Sequence, residues 1–598
     1  MITFFVLLFS FTQRSYAADF QTAYQVDYHL SQQADSLNSK VDFSIAITNL
    51  RSDVYVNKFS ISFPKAFAIS DLTSYDDNGP VAPIVSQEGD KSTVTLIFND
   101  PKVGKGSVNN FYLTFDQSNL FKINGNTWEV ILPVIENKDN STYKVNVYLP
   151  EGTTKKISIA KPKPDLIEGN KIVWNNPTTR TIYAVFGNSQ LYDVNLTYHL
   201  KNPSLAPSMM EVAFPPDTLY QKIYVNSLSQ PPTRVYLDDD GNYMGVYYLN
   251  PLETKVIKSD FTIQVFPQPR QEVVSWSNHL FEKDKSYLLR QQPYWTITSL
   301  NKIANLNTVS DIYSYEVANL SYDYARLNSD NTRLGAELVL EKPNLAVCTE
   351  FTDLFVAASR EKGIYAREIE GYGYSSDQSL RPISLSSDIL HAWPEYYDTG
   401  EKIWKPVDPT WQNTSGIDYF SSFDLNHITF VIHGEKSNYP LPAGMYKTGN
   451  TKDVQVTAES QLPAEKDNLK IDGLDIVKNI DDVTEYHGNL TIENQGNVYL
   501  WNTTLTFAGN NIKLNPPAST ILTLPPGGKK VVNFTYRAAH ENSRETATLV
   551  IALNGQKYGD YQLSIFPHLF SWIIKAVSAL LIAVLVVLIS TKVRKKFL

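Results

Sequence analysis

The sequence predicts a multidomain chain: two N-terminal β-sandwiches, one α+β domain, a third β-sandwich and a single C-terminal transmembrane helix. Three observations predict it. Apolar and polar residues alternate through most of the first 270 or so positions and again after about Ala458, the period of half-buried strands. Helical spacing is confined to one stretch between them. A final run from Leu569 to Thr591 spans 23 residues with one charge, Lys575. The length of 598 residues allows about three to five domains. With 42% hydrophobic and 19% charged residues, ordinary cores can form, which excludes wholesale disorder. The formal charge of −9 without long basic runs excludes a nucleic-acid binder, and one cysteine, Cys348, excludes an internal disulfide or a Cys-rich zinc module. Aromatic residues reach 12%, which favours strands.

Taken in order, Ile2 to Phe11 is an apolar run followed by Ser15-Tyr16-Ala17, a small-x-Ala pattern, so residues 1–17 are expected to be a secretory signal. Residues 18–160 carry strand alternation at Val41, Phe43, Ile45 and Ile47 and again at Val145, Val147 and Leu149. Turn clusters such as Asp76-Asp77-Asn78-Gly79 separate the runs, the pattern of a β-sandwich. Lys161-Pro162-Lys163-Pro164 reads as a linker into a second sandwich, 161–273. There, Asp238 to Asn242 lacks the twelfth-position Glu of a calcium loop and is flanked by strand-like runs, so it reads as a hairpin turn. Residues 468–566 return to strands between Asn494-Gln495-Gly496-Asn497 and Pro525-Pro526-Gly527-Gly528, an immunoglobulin-like stalk. The run 569–591 is long enough to cross a hydrocarbon core of about 30 Å. Lys592, Arg594, Lys595 and Lys596 place the tail, 592–598, on the cytoplasmic side and the bulk of the chain outside the cell.

Residues 274–460 break the β pattern. Val309 to Asn328 looks helical, with Ile312 and Tyr315 on one face. From Thr349, the apolar positions Phe351, Leu354, Phe355 and Ala358 follow an i, i+3, i+4, i+7 spacing, and Gly363 stands where a helix would stop. Cys348 therefore opens a helix, where unpaired backbone N–H groups and the dipole favour an anion. Further on, His391 to Asp398 and Lys402 to Asp408 flank a Gly-containing turn. If Thr399 and Gly400 form a two-residue loop, His391 lies directly opposite Asp408, within hydrogen-bond reach on one face of the hairpin.

These blocks resemble the transglutaminase-like superfamily of papain-fold cysteine enzymes. The resemblance runs from Cys348-Thr349-Glu350-Phe351 through Arg360 and Gly363-Ile364-Tyr365-Ala366-Arg367. It continues through Gly371-Tyr372-Gly373 and His391-Ala392-Trp393 to Trp404-Lys405-Pro406-Val407-Asp408-Pro409-Thr410-Trp411. Tyr365 stands where many relatives carry proline. The resemblance implies an α+β domain with Cys348 as nucleophile, His391 as general base and acid, and Asp408 orienting the imidazole. A protein or peptide amide would be the substrate, attacked to give a thioester acyl-enzyme that water or an amine resolves. It implies no cofactor and no metal. Trp393 and Trp411 are candidates for cleft walls or for buried packing. Two other readings stay open at this point: a non-catalytic surface binding or adhesion protein with partners on its β-sandwiches, and an envelope structural protein using Cys348 as an attachment point.

Overall fold

A computed structural model describes residues 19–594 apart from 34–35, 65–66, 68, 90, 119, 135–140, 180, 327–331, 376–389, 448–450 and 542–543. The expected signal, 1–17, and the cations Lys595 and Lys596 lie outside the described residues. Two compact units are present: residues up to 188 with 416–422, and residues 189–415 with 423 onward.

The first unit is a sandwich. One layer is an eight-stranded sheet centred on Phe20–Gln33, Ser36–Asn49 and Val108–Gln117; three- and four-stranded sheets complete the unit. The alternation read from the sequence is the burial pattern: Val41, Phe43, Ile45 and Ile47 are each at most 3% exposed, while their neighbours face outward. The boundary expected at Lys161 does not fall there. Ile157–Lys161 and Thr181–Phe186 pair within the four-stranded sheet, and Lys171–Asn175 pairs with Thr142–Tyr148 in the eight-stranded one. The proline-rich stretch is a turn between strands of one core, and the unit ends near Asn188.

The second unit opens with strand Gln190–Lys201, paired on one side with Thr254–Val265 and on the other with Val454–Glu459. The α+β region is thus inserted between two strands of one sheet, and Val454–Glu459, expected within 274–460, closes the preceding sheet instead. Among the described residues from 19 to 267 there is no helix. Asp238 to Asn242 is a hairpin turn between Arg234–Leu237 and Tyr243–Leu249. The Asp238 carboxylate accepts the backbone N–H groups of Asp240 and Asn242. Asp240 Oδ2 in turn accepts the N–H groups of Gly434 and Glu435 at 3.0 Å each, and Asn242 brackets the backbone of Ile432. This turn therefore fixes the end of strand His427–His433.

The inserted region holds helices Gln271–Lys283, Val309–Asn319, Ala336–Glu341 and Cys348–Glu361, with a four-stranded antiparallel sheet. Helix Val309–Asn319 stops nine residues short of the expected Asn328. Thr308 and Asp311 cap its start reciprocally, but after Leu320 the chain is extended and Tyr322 bridges Ala346. Beyond it, four strands including Tyr486–Asn494 and Lys529–Ala538 face five including Glu545–Leu553 and Gln556–Phe566. Helix His568–Arg594 follows, and Trp572–Ser590 within it is long and apolar enough to cross a membrane.

Candidate active site

Cys348 is the first residue of helix Cys348–Glu361 and is 7% exposed. Its position is fixed from the preceding residue. The Val347 N–H donates to Glu350 Oε2 at 3.0 Å, half of a capping box, and Glu350 is itself held by Arg326 Nη1 at 3.0 Å and the Leu334 N–H at 2.9 Å. The helix ends at Glu361 with Lys362 as its cap, and Gly363 follows at φ +76°, a left-handed conformation that suits glycine. Arg360, in the last turn of the helix, is a buried clamp. Its guanidinium donates to the carbonyls of Ala366 and Gly434 and lies over the Trp295 ring at 4.3 Å. Burial lowers its pKa to about 10.

His391 opens strand His391–Asp398, which pairs with Ala366–Gly373 and Ile403–Pro406. The hairpin register differs from the expected one by two. Asp398 opposes Ile403, not Glu401, because its carboxylate accepts the Gly400 and Glu401 N–H groups and a four-residue loop forms. A slip of two residues keeps every side chain on its face, so the histidine and aspartate still meet. They do so beyond the ladder. The partner strand ends at Pro406, and Asp408 precedes helix Pro409–Ser415, its Oδ1 accepting the Trp411 N–H at 3.0 Å. Its Oδ2 lies 3.0 Å from His391 Nε2 and 3.2 Å from His427 Nε2.

His427 was not anticipated. Its Nδ1 is 2.6 Å from Asp424 Oδ1, and the Asp-x-x-His spacing of 424–427 is the one local signal that could have found it. Trp411 stacks on the His391 ring at 4.7 Å and is buried, as is Trp393, so packing is the role of both. Gly373 makes room for this stack, since a Cβ there would sit 2.7 Å from Trp411.

Burial alone would lower the basicity of His391; the charge and hydrogen bond of Asp408, and then Cys348, outweigh it and raise its pKa. Burial likewise opposes the charge on Asp408, but the two imidazoles hold its carboxyl well below the usual range. The remaining ring nitrogen, His391 Nδ1, is buried and beyond Cys348 has no hydrogen-bond partner. Cys348 and His391 line one cavity of about 470 Å³ with Val347, Ala392, Leu441 and Met445 on its apolar side. Glu370, Arg326 and Arg333 form part of its polar side.

Behind that polar side lies a buried ionic network. Arg333 bonds Asp353 through Nε at 3.0 Å and Glu368 at 2.7 and 2.8 Å, while His433 Nδ1 is 3.3 Å from Glu368. Burial opposes the charge on His433, yet Glu368, Glu370 and the Pro440 carbonyl raise its pKa to about 9. Because the folded value exceeds the unfolded one of about 6.5, its contribution to stability is complete below about pH 6.5 and is lost as pH rises through 9. The thermal midpoint of the full chain is expected to fall across that window. In His433→Gln the fall should flatten; an unchanged slope would reject this assignment. Two clusters among the described residues bring three ligand atoms close enough to surround an ion: His391, Asp408 and His427, and Glu368, Glu370 and His433. In the first, Asp408 Oδ2 contacts both imidazoles; in the second, Glu368 contacts His433 and Arg333, and Glu370 lies 3.7 Å from Arg333.

Residues 297–409 match the family model of the transglutaminase-like superfamily. This segment is a transglutaminase-like domain. The match includes Cys348, His391 and Asp408 and ends one residue past the last, so His427 lies beyond it. No curated protein matches the chain. Among solved structures, a candidate cysteine protease from Cytophaga hutchinsonii is 15% identical with a TM-score of 0.30, over 46% of this chain and 93% of its own. The periplasmic domain of TgpA from Pseudomonas aeruginosa is 14% identical with a TM-score of 0.20, over 37% and 88%. A two-domain M1 zinc metallopeptidase mutant bound to L-tryptophan is 10% identical with a TM-score of 0.20, over 31% and 45%. Scores this low carry no inference about activity. The transglutaminase-like domain stands on the family match.

Proposed function

We propose that the chain is a cysteine acyl-transfer enzyme displayed outside the cell on a single C-terminal span, with the β-sandwiches as spacers, the last an immunoglobulin-like stalk. Cys348 Sγ attacks an amide carbonyl of a protein or peptide after His391 takes the thiol proton. The C–N bond then breaks, His391 returns the proton to the leaving amine, and a thioester on Cys348 remains. Water completes a hydrolysis; an amine completes a transamidation. Asp408 orients and charge-stabilises the imidazole from the far side. The observation that carries this reading is that Cys348 and His391 line one cavity while His391 Nε2 is 3.0 Å from Asp408.

Cys348 is the only cysteine, so one reagent tests both chemistry and topology. A membrane-impermeant maleimide at neutral pH is expected to label intact expressing cells at Cys348 at least about tenfold faster than free cysteine, because an imidazole base is at hand. Labelling only after permeabilisation would refute the outside placement. Slow labelling in both conditions would refute the enzyme.

A further inference from the structure

The site holds one more imidazole than acyl transfer uses. Strand Ala366–Gly373 runs between His391–Asp398 and His427–His433, with Gly371 opposite His391 and Gly373 opposite His427. Gly371 and Gly373 are two residues apart, so the two histidines share a face, and the glycines between them add no side chain. The rings lie 5.4 Å apart, centre to centre, and the residues are 1% and 4% exposed. His427 stands outside the segment that matches the family model and does not line the cavity of Cys348.

Three observations fix the state and the reach of this second ring. First, both of its nitrogens meet carboxylate oxygens: Nδ1 is 2.6 Å from Asp424 Oδ1, and Nε2 is 3.2 Å from Asp408 Oδ2. A neutral imidazole has one N–H, and two ionised carboxylates ask for two, so the ring that satisfies both is an imidazolium. Both carboxylates also accept backbone N–H groups, Asp424 from Asn426 at 2.9 Å and Asp408 from Trp411 at 3.0 Å. Second, one oxygen is shared: His391 Nε2 lies 3.0 Å from the same Asp408 Oδ2. Third, the rings of Phe423, Trp411 and Trp393 pack around His427 at 4.3, 4.4 and 4.8 Å, and a charge in such apolar surroundings is felt strongly. Asp408 and Asp424 are the charged groups that meet His427; Asp408 and Cys348 meet His391. Burial opposes the charge on His427, but the two carboxylates outweigh it and raise its pKa. The Tyr322 phenol, which also feels Cys348 and Asp408, is kept neutral by burial.

We propose that His427 is a fixed imidazolium that takes up part of the Asp408 charge and so leaves His391 free of its proton in the resting site, ready to act as base. The assignment rests on the acyl-transfer reading above. His427 is a positioning residue that acts through Asp408. A buried carboxylate facing a single imidazole would hold a proton on it, and a protonated His391 cannot take the proton of the thiol. The shared carboxylate also sets the tautomer: His391 carries its hydrogen on Nε2 and turns the Nδ1 lone pair toward Cys348. During the reaction Nδ1 takes the thiol proton and passes it to the leaving amine, while His427 keeps both of its own.

In the detergent-solubilised full chain, His427→Gln keeps an amide N–H near the place of Nε2 and removes the charge. With p-nitrophenyl acetate as the acyl donor, the pH at which acylation of Cys348 turns on is expected to rise by about one unit, because losing a nearby positive charge favours protonated His391. The double variant His427→Gln, Asp424→Asn leaves no buried carboxylate stranded and is expected to move in the same direction. A merely structural role lowers the plateau rate and leaves that midpoint in place. An unmoved or acid-shifted midpoint in the double variant would overturn the proposal, and so would loss of acylation at every pH. His391, Asp408 and His427 also bring three ligand atoms together, so the wild type is measured after dialysis against EDTA as well. Its midpoint is expected to hold; a midpoint that EDTA moves and zinc restores would give the ring to an ion instead. A wild type that acylates no faster than Cys348→Ala would overturn the acyl-transfer reading itself, and this assignment with it, which separates the two failures.

Discussion

Cys348→Ala is expected to lower release of p-nitrophenol from p-nitrophenyl acetate by at least about a thousandfold, and His391→Ala by a similar factor. The nucleophile and its base act as a unit, so losing either removes nearly the whole rate advantage. Asp408→Asn should cost about ten- to a hundredfold less than either. An asparagine can still cap helix Pro409–Ser415 through one oxygen, as Asp408 Oδ1 does for Trp411. It cannot offer the charge that raises the pKa of His391. The asparagine variant should also act mainly on kcat, because Asp408 is buried behind the ring and outside the cavity lining. Retention of more than a tenth of wild-type turnover by Cys348→Ala would sink the assignment.

The second large effect concerns folding. Arg333 is the guanidinium that three carboxylates share: Asp353 and Glu368 by hydrogen bonds, and Glu370 at 3.7 Å. The side chains of Asp353 and Glu368 are fully buried. Burial pushes the Asp353 carboxyl upward even against Arg333, whereas Arg333 and His433 together outweigh burial at Glu368 and lower it. Arg333→Met should therefore destabilise the domain by about 3–5 kcal/mol, because it strands buried charge without a partner. Arg333→Lys should recover little, since one ammonium cannot replace a fork that reaches Asp353, Glu368 and the Ser437 carbonyl together. Thermal unfolding of the detergent-solubilised chain would read this; a methionine variant melting with the wild type would refute it.

What was legible in the sequence had a local period or a local stop. The alternation through Val41 to Ile47 is the buried face of Ser36–Asn49, and the run from Cys348 to Gly363 carries its own start, stripe and terminator. The meeting of His391 and Asp408 was legible for a subtler reason. Strand faces repeat every two residues, so an error of two in the turn kept both side chains on the expected face, although they no longer stand directly opposite. What was not legible depends on partners far along the chain. Arg333 finds Glu368 and Ser437, His427 finds Asp408, and Tyr322 comes beside Ala346, none of which leaves a periodic trace. The misplaced boundary at Lys161 has the same origin. A proline-rich stretch looks alike whether it joins two domains or turns between strands of one, and only the long-range pairing of Lys171–Asn175 with Thr142–Tyr148 decides.

Strand Val454–Glu459 completes a sheet whose other members are made long before it. During synthesis Gln190–Lys201 emerges early and pairs with Thr254–Val265, but its second edge stays open until everything from Phe266 to Asp453 has left the ribosome. At roughly 5–20 residues per second that delay is about ten to forty seconds, longer than most single domains need to fold. An unpaired edge held open that long is a template for pairing with another nascent chain. The inserted domain is therefore also a timer on its host, and a chain truncated anywhere before Val454 would leave that edge exposed for good.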